Sequence, residues 1–171
     1  MPRLFVAIDL PDKLKSEIEQ LSYFGLEGVK WVDPEQYHLS LRFIGEVNQN
    51  ESQHIEEILM KVKAESFSLT LGGVGTFPGG KDPRVLWVGV EKSEPLIQLQ
   101  KKIETRLNQS GIQKERRRFS PHITLARVKA RKPGKIGDFI VQNNLYKSES
   151  FAVDRFCLFS SQLTPNGAIY S

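Results

Sequence analysis

His38-Leu39-Ser40-Leu41 recurs later in the chain as His122-Ile123-Thr124-Leu125, so the pattern His-x-(Ser/Thr)-Leu occurs twice. The chain has 171 residues and three histidines, and two of the three stand in this pattern. With ordinary residue usage, a given histidine meets the pattern by chance about once in a hundred times. The repeat therefore indicates two related segments that share one task.

Each tetrapeptide has the alternation of a half-buried β-strand. Side chains two residues apart share one face of a strand. His38 and Ser40 therefore point to one side, and the leucines that alternate with them point to the other. His122 and Thr124 repeat this arrangement. If the apolar side chains face the core, each motif presents an imidazole and a hydroxyl on the opposite face.

The rest of the chain alternates strand-like and helix-like segments. Strands are predicted over residues 3–10, 37–44, 66–76, 84–91, 121–128, 150–160 and 167–170, with the last two joined by a turn at Asn166-Gly167. Helices are predicted after Pro11 and over residues 51–64, 94–110 and 135–144. The hairpin signals favour an α+β fold over a doubly wound parallel sheet. We expect one domain over residues 1–171, made of two pseudo-symmetric lobes, each an antiparallel β-sheet with helices on its outer face.

The positive charge of the chain is unevenly placed. Its formal net charge is only +4, yet many cations surround the second motif: Lys114, Arg116, Arg117, Arg118, Arg127, Lys129, Arg131, Lys132 and Lys135. A basic strip beside a pair of histidines favours an anionic ligand such as a phosphate or an RNA end.

Cysteine usage and the N-terminal residues indicate the cellular environment of the protein. Cys157 is the only cysteine, so it cannot form an internal disulfide, and one thiol with scattered histidines does not make a zinc site. The first ten residues read as a strand and not as a signal peptide or membrane span. We expect a cytoplasmic protein with no metal, no cofactor and no membrane association, and a monomer as the default.

Two imidazoles facing one site can perform acid–base chemistry near neutral pH. One imidazole can remove a proton from water while the other protonates a leaving oxygen. The hydroxyls of Ser40 and Thr124 can hold phosphate oxygens as charge develops. Arg42 has the strand parity of His38 and Ser40, and is therefore a candidate anion contact on the same face. Trp31, Tyr37, Trp87 and Phe119 are candidates to stack a nucleobase.

The residues around both histidines resemble a known family. The strings Tyr37-His38-Leu39-Ser40-Leu41-Arg42-Phe43-Ile44-Gly45-Glu46 and Ser120-Pro121-His122-Ile123-Thr124-Leu125-Ala126-Arg127 resemble the 2H phosphoesterase superfamily, in its RNA 2′,3′-cyclic phosphodiesterase branch, historically called 2′-5′ RNA ligase. The opening segment 3–10 and the ending segment 161–170 are similar to that branch too. The resemblance implies a bilobal sheet fold with a central cleft, and metal-independent hydrolysis of a 2′,3′-cyclic phosphate at an RNA end to a 2′-phosphomonoester.

The resemblance also implies roles for individual residues. His38 would protonate the departing 3′ oxygen, His122 would activate the water, and Ser40 and Thr124 would hold the phosphate oxygens. Arg127 matches a family arginine that contacts the phosphate, although simple alternation places it on the face opposite His122, so this role needs a strand end or a bulge. Ser40 departs from the usual family threonine but keeps the hydroxyl.

Other readings of the same site stay open at the level of sequence. The site could cleave or join 2′-5′ linkages, because ligation is the reverse of ring opening when a 5′-hydroxyl replaces water. It could also open a small cyclic nucleotide or trim RNA 3′ ends. A non-catalytic nucleotide-binding module is a third reading, and the intact histidines and hydroxyls of both motifs weigh against it.

Overall fold

A computed structural model describes residues 1–80, 82–129 and 135–161 in full, and the backbone alone of residues 165–170. The described residues contain ten strands and four α-helices. The strands are β1 (Arg3–Asp9), β2 (Val29–Trp31), β3 (His38–Glu46), β4 (Phe67–Leu69), β5 (Leu71–Phe77), β6 (Val85–Val90), β7 (His122–Val128), β8 (Phe151–Val153), β9 (Cys157–Ser161) and β10 (Pro165–Tyr170). The helices are α1 (Asp12–Glu19), α2 (Gln49–Met60), α3 (Glu94–Gln109) and α4 (Ile136–Asn143).

An antiparallel sheet of eight strands forms the centre of the fold. Its strand order is β10-β9-β1-β3-β7-β6-β5, and β2 pairs with β7 beside this path. Strands β4 and β8 form a separate two-stranded sheet. Every registered pair among the described strands is antiparallel. The predicted α+β class is therefore confirmed, and the doubly wound parallel alternative is wrong.

The two motif strands meet in the middle of this sheet. A single registered pair, Leu39 with Ile123, joins β3 to β7. Beyond this pair, β3 continues to β1, β9 and β10 on one side, and β7 continues to β6 and β5 on the other. The sheet thus consists of two half-sheets joined at the motifs. The antiparallel register around the junction sets His38 beside Thr124 and Ser40 beside His122.

One cluster of buried apolar side chains covers one face of the sheet. It takes members from both half-sheets and from all four helices, including Leu4, Val6, Leu39, Leu41, Leu86, Val88, Ile123, Leu125, Leu14, Ile55, Ile103 and Phe139. Helices α2 and α3 pack on each other, α3 also packs on β3, and α4 packs on β5. Burial of this apolar surface fixes which face of each motif strand is internal, and it leaves the imidazoles and hydroxyls on the other face.

Local sequence sets the start of the two longer helices. The side chain of Asn48 accepts a hydrogen bond from the Glu51 amide at 2.8 Å, and the Glu51 carboxylate accepts one from the Asn48 amide at 3.3 Å. This capping box begins α2 two residues before the predicted position. The Ser93 hydroxyl accepts from the Leu96 amide at 3.3 Å and caps α3, which begins at the predicted residue, Glu94.

Several details of the strands differ from the sequence prediction. The predicted strands 66–76 and 150–160 are each two strands, β4 with β5 and β8 with β9, because β4 and β8 leave the central sheet to pair with each other. Asn166 and Gly167 lie within β10 and not in a turn, because β9 ends at Ser161 and the chain has already reversed when Pro165 pairs with it. An irregularity between Pro165 and Ala168 accommodates the Asn-Gly pair. The short strand β2 has no clear alternation in the sequence, and its pairing with β7 gives it strand geometry.

Candidate active site

Strand β3 contains a β-bulge directly after Ser40. Ala7 pairs with Ser40 and the preceding Val6 pairs with Arg42, so Leu41 is an extra residue on β3. A bulge of this kind shifts the alternation of the strand by one residue. Arg42 and Phe43, directly beyond Leu41, therefore exchange faces relative to the alternation of His38 and Ser40.

Strand β7 contains a bulge at the equivalent place. Trp87 pairs with Thr124 and the neighbouring Leu86 pairs with Ala126, so Leu125 is the extra residue. The bulge follows the hydroxyl residue of the second motif, as it does in the first. Arg127, five residues after the second histidine, consequently returns to the face of Thr124, which supplies the condition that the sequence argument required for its role.

The prediction that Arg42 shares the face of His38 is wrong. Because of the bulge at Leu41, Arg42 points to the core side, where it is only 7% exposed. Its Nε donates to Glu104 Oε2 at 2.7 Å, and its remaining nitrogens donate to the carbonyls of Phe43 at 2.6 Å and of Gln113. Arg42 is therefore engaged away from the cleft and is not proposed as a phosphate ligand.

A cavity of about 550 Å³ opens on the cleft face of the sheet. Four of the sequence-predicted site residues line it together: His38, Ser40, Thr124 and Arg127. The other lining residues are Phe5, Val32, Asp33, Glu35, Gln36, Phe43, Phe159, Ser160 and Ser161. Neither Ser40 nor Thr124 has a side-chain hydrogen bond within the described residues, so both hydroxyls are available to a ligand.

His38 lies in an apolar environment. Its ring centroid is 5.3 Å from that of Phe5 and 4.7 Å from that of Phe159, and its Nδ1 is buried without a hydrogen-bond partner among the described residues. Burial lowers the pKa of His38 from 6.5 to about 4, although the nearby Asp9 carboxylate opposes this shift. Lys15, which pairs with Asp9 at 3.0 Å, acts in the same direction as burial. His38 is therefore neutral in the unliganded site at neutral pH.

His122 has polar support and lies at the margin of the cavity. Its Nδ1 is 2.8 Å from the carbonyl oxygen of Ser120, and its ring meets Phe77 edge-on with centroids 4.8 Å apart. Since a carbonyl can only accept, Nδ1 carries the proton in this contact and Nε2 of the neutral ring has the free lone pair. His122 itself is not among the lining residues of the cavity, although Ser40, beside it in the register, is.

The basic strip and the aromatic candidates are only partly associated with the cavity. All seven described cations of the strip are exposed, and of these Arg127 lines the cavity; Arg131 and Lys132 lie outside the described residues. None of the four predicted stacking residues lines it either, and Tyr37 is fully buried. The aromatic lining comes from Phe5, Phe43 and Phe159. Of these, Phe43 faces the cleft only because of the bulge at Leu41, and no pattern in the sequence predicts that bulge.

Two absences among the described residues concern metals and membranes. No group of three or more histidine, cysteine, aspartate or glutamate side chains there is arranged to hold a metal ion. None of the described helices combines the length and apolar character that crossing a bilayer requires.

Comparisons with known proteins identify the family of the chain. A family model for the 2′-5′ RNA ligase superfamily matches residues 10–164. The RNA 2′,3′-cyclic phosphodiesterase of Archaeoglobus fulgidus is 37% identical, over 98% of this chain and 96% of its own length. The protein of the same name from Thermotoga maritima is 38% identical, over 98% and 91% respectively. The crystal structure of E. coli LigT complexed with 3′-AMP superposes with a TM-score of 0.75 at 29% identity, covering 100% of this chain and 95% of LigT.

Proposed function

Because the chain belongs to the 2′-5′ RNA ligase superfamily, we propose that it is an RNA 2′,3′-cyclic phosphodiesterase, which hydrolyses a cyclic phosphate at an RNA end to a 2′-phosphomonoester. One observation carries the proposal. His38, Ser40, Thr124 and Arg127 come from two different strands and line a single cavity, and the register sets His122 next to it. Two relatives that match nearly the full chain carry this activity in their names.

The groups at the cleft suit one displacement at phosphorus. Nε2 of His122 takes a proton from water as the water oxygen bonds to phosphorus, and the bond from phosphorus to the ribose 3′ oxygen breaks. His38 gives a proton to that 3′ oxygen, which leaves a 2′-phosphomonoester. Ser40, Thr124 and Arg127 donate hydrogen bonds to the non-bridging oxygens, where negative charge accumulates. The side chains alone account for each proton transfer.

His38 must gain a proton before it can donate one. In the unliganded cavity burial keeps its pKa near 4, so the ring is neutral. The cyclic phosphate is an anion, and an opposite charge nearby raises the pKa of an imidazole. Binding of the substrate therefore brings His38 towards the protonated form, and it does so only while the phosphate is present.

We also propose a domain organisation, an oligomeric state and a cellular location for the protein. One chain supplies both motifs, and a single buried cluster spans both half-sheets, which supports one bilobal domain over residues 1–171 acting as a monomer. A single cysteine, Cys157, buried in β9, fits a reducing cytoplasmic setting. Small cyclic nucleotides are the alternative substrates, since they present a cyclic phosphate and one nucleoside to the same site residues.

A product analysis tests the function. The purified protein is incubated in EDTA with a short RNA bearing a 2′,3′-cyclic phosphate, and the position of the product phosphate is determined. We expect a 2′-phosphate and RNA of unchanged length. Absence of turnover, or inhibition by EDTA that added metal reverses, contradicts the metal-independent proposal. Shortened RNA indicates 3′-end trimming, and joining to an added 5′-hydroxyl RNA indicates ligation.

A further inference from the structure

The segment from residue 113 to 121 leads directly into the second motif. It connects α3 to β7 and contains neither a helix nor a strand. Among the described residues, its backbone makes no hydrogen bond to another backbone group. Phe119 packs against the core, but the hydrogen bonds of the segment all involve side chains. The position of the segment therefore depends on those side chains and on the packing of Phe119.

One ion pair on the core side holds the start of this segment. Arg42 Nε donates to Glu104 Oε2 at 2.7 Å, and the side chains of the pair are only 6% and 15% exposed. Arg42 also donates to the carbonyl of Gln113. The other oxygen of Glu104 accepts from the amide of Glu115 at 2.9 Å. Arg42 and Glu104 together thus fix two nearby residues of the segment.

Two further hydrogen bonds lie between Glu115 and the second histidine. The Glu115 carboxylate accepts from the Arg117 amide at 3.1 Å, and this hydrogen bond is the main cause of the lowered pKa of Glu115. Three residues further on, the carbonyl of Ser120 bonds to Nδ1 of His122 at 2.8 Å. The Ser120 carbonyl that contacts His122 therefore belongs to this segment.

We infer that Arg42 is a positioning residue for His122. It acts through Glu104 and the backbone of residues 113–120, so that the Ser120 carbonyl keeps the proton on Nδ1 of His122 and leaves Nε2 able to accept. A buried ion pair adds little net stability, because desolvation of both charges offsets their attraction. What Arg42 contributes is the geometry of its fork, which reaches a carboxylate and a backbone carbonyl at once. The inference rests on the proposed function for the task of His122.

Nitrogen-15 NMR of the imidazole rings provides the test, since the chain has only three histidines. At a pH where the rings are neutral, we expect the Nδ1-protonated form of His122 in the unaltered protein. Arg42→Met should give a mixture of tautomers at His122 and lower kcat by about 10- to 100-fold, the cost of a small misplacement of a reacting group. His38 and His54 should keep their spectra.

Arg42→Lys separates positioning from stability. A lysine keeps the charge beside Glu104, but its ammonium has no fixed fork to span Glu104 and Gln113 together. Arg42→Met should lower thermal stability, because it leaves the Glu104 carboxylate buried without its partner. We expect Arg42→Lys to restore this stability while His122 remains a mixture of tautomers. Arg3→Met is the matched control, because it removes the exposed Arg3–Glu46 pair of 3.4 Å from the same sheet. It should leave His122 unchanged.

A second variant covers the case in which Arg42→Met does not fold. Glu115→Ala removes the acceptor of the Arg117 amide at the half-buried end of the network, and should shift the His122 tautomer in the same direction but less. A folded Arg42→Met or Glu115→Ala protein with His122 fully in the Nδ1-protonated form overturns the inference. So does a change at His38, on the same strand as Arg42, that equals the change at His122.

The NMR measurement of the His122 tautomer does not require turnover. The positioning role of Arg42 and the proposed function can therefore be contradicted independently. An active enzyme whose His122 is unaffected by these substitutions overturns the positioning role alone. An inactive protein whose His122 responds as expected overturns the proposed function alone.

Discussion

Strands β3 and β7 repeat one motif and one bulge, yet they present different chemistry to the cleft. The residue five positions after the histidine is Phe43 in β3 and Arg127 in β7. His38 contacts two phenylalanine rings and has a buried nitrogen without a partner among the described residues, whereas His122 bonds to the Ser120 carbonyl. The repeat thus supplies two similar hydroxyls, and the surroundings make the two imidazoles different.

This difference suits an acid–base pair, because the two groups need opposite protonation states at the same pH. Burial makes the protonation of His38 depend on an incoming anion. A hydrogen bond to Ser120 sets which nitrogen of His122 is free. In a perfectly symmetric site both imidazoles would have the same proton occupancy. Half of the singly protonated states would then carry the proton on the wrong imidazole.

The largest expected effect comes from removing each histidine. His38→Ala and His122→Ala should each lower kcat on an RNA cyclic phosphate by about 10²- to 10⁴-fold. On a 3′-deoxynucleoside 2′-(p-nitrophenyl phosphate), whose leaving group departs without a proton, His38→Ala should lose far less, while His122→Ala should lose as much as before. Initial rates measure both. Exposed His54 in α2 provides the control, and His54→Ala should be unchanged.

Equal losses by the two histidine variants on both substrates would contradict the division of roles between β3 and β7. A smaller loss for His122→Ala than for His38→Ala on the p-nitrophenyl substrate would reverse the assignment of the two roles.

Arg127 and Phe43 test the next difference between the strands. Arg127→Met should weaken inhibition by inorganic phosphate by about 10- to 100-fold, since a hydrogen bond to a charged group contributes about 1.5–3 kcal/mol. Arg127→Lys should recover part of the loss. Phe43→Leu, at the equivalent position, should leave the inhibition constant for phosphate unchanged. Similar constants for the Arg127→Met variant and the unaltered protein would remove Arg127 from the phosphate site.

The burial of His38 should appear in the stability of the protein. Its pKa is near 4 in the folded state against 6.5 for the ordinary group, so the unfolded chain binds the extra proton between these values. The stability that neutral His38 contributes is present above pH 6.5 and is lost as the pH falls towards 4. We expect the free energy of unfolding to fall by about 2 kcal/mol between pH 7 and pH 5 on this account.

Denaturant unfolding at the two pH values measures this loss, with His38→Leu as the reference that lacks the titrating group. If both proteins lose the same stability, the environment of His38 is less apolar than the geometry indicates.

The smallest expected effect concerns the hydroxyls, where the two strands are most alike. Ser40→Ala should lower kcat/KM by roughly fivefold, the value of one hydrogen bond of about 1 kcal/mol. Ser40→Thr keeps the hydroxyl and makes β3 match β7, so its change should be smaller than that of Ser40→Ala. Steady-state kinetics on the cyclic phosphate measures both, and a threonine variant as impaired as the alanine variant would show that Ser40 does not act through its oxygen.

Much of the fold follows from period and composition. The alternation of residues 38–41 and 122–125 predicts two strands with buried leucines, and Leu39, Leu41, Ile123 and Leu125 are all buried. The stripe of Leu96, Leu99, Ile103 and Leu107 predicts α3 nearly to its ends. The predicted start of α2 is two residues late in contrast, because Gln49 and Asn50 are polar and add nothing to the apolar stripe of the helix.

The sequence by itself determined the repeated His-hydroxyl strands, their apolar faces and the family they resemble, because strand parity and residue chemistry are local properties. Only the tertiary structure decided the faces of Arg42 and Arg127. The face of Arg42 follows from the extra residue Leu41, which is recognisable only from the register of β3 with β1. The face of Arg127 follows from Leu125, which is recognisable only from the register of β7 with β6. Tertiary packing also decided that His38 lies among phenylalanines from other strands. Register and burial are long-range properties, since they depend on segments far apart in the chain.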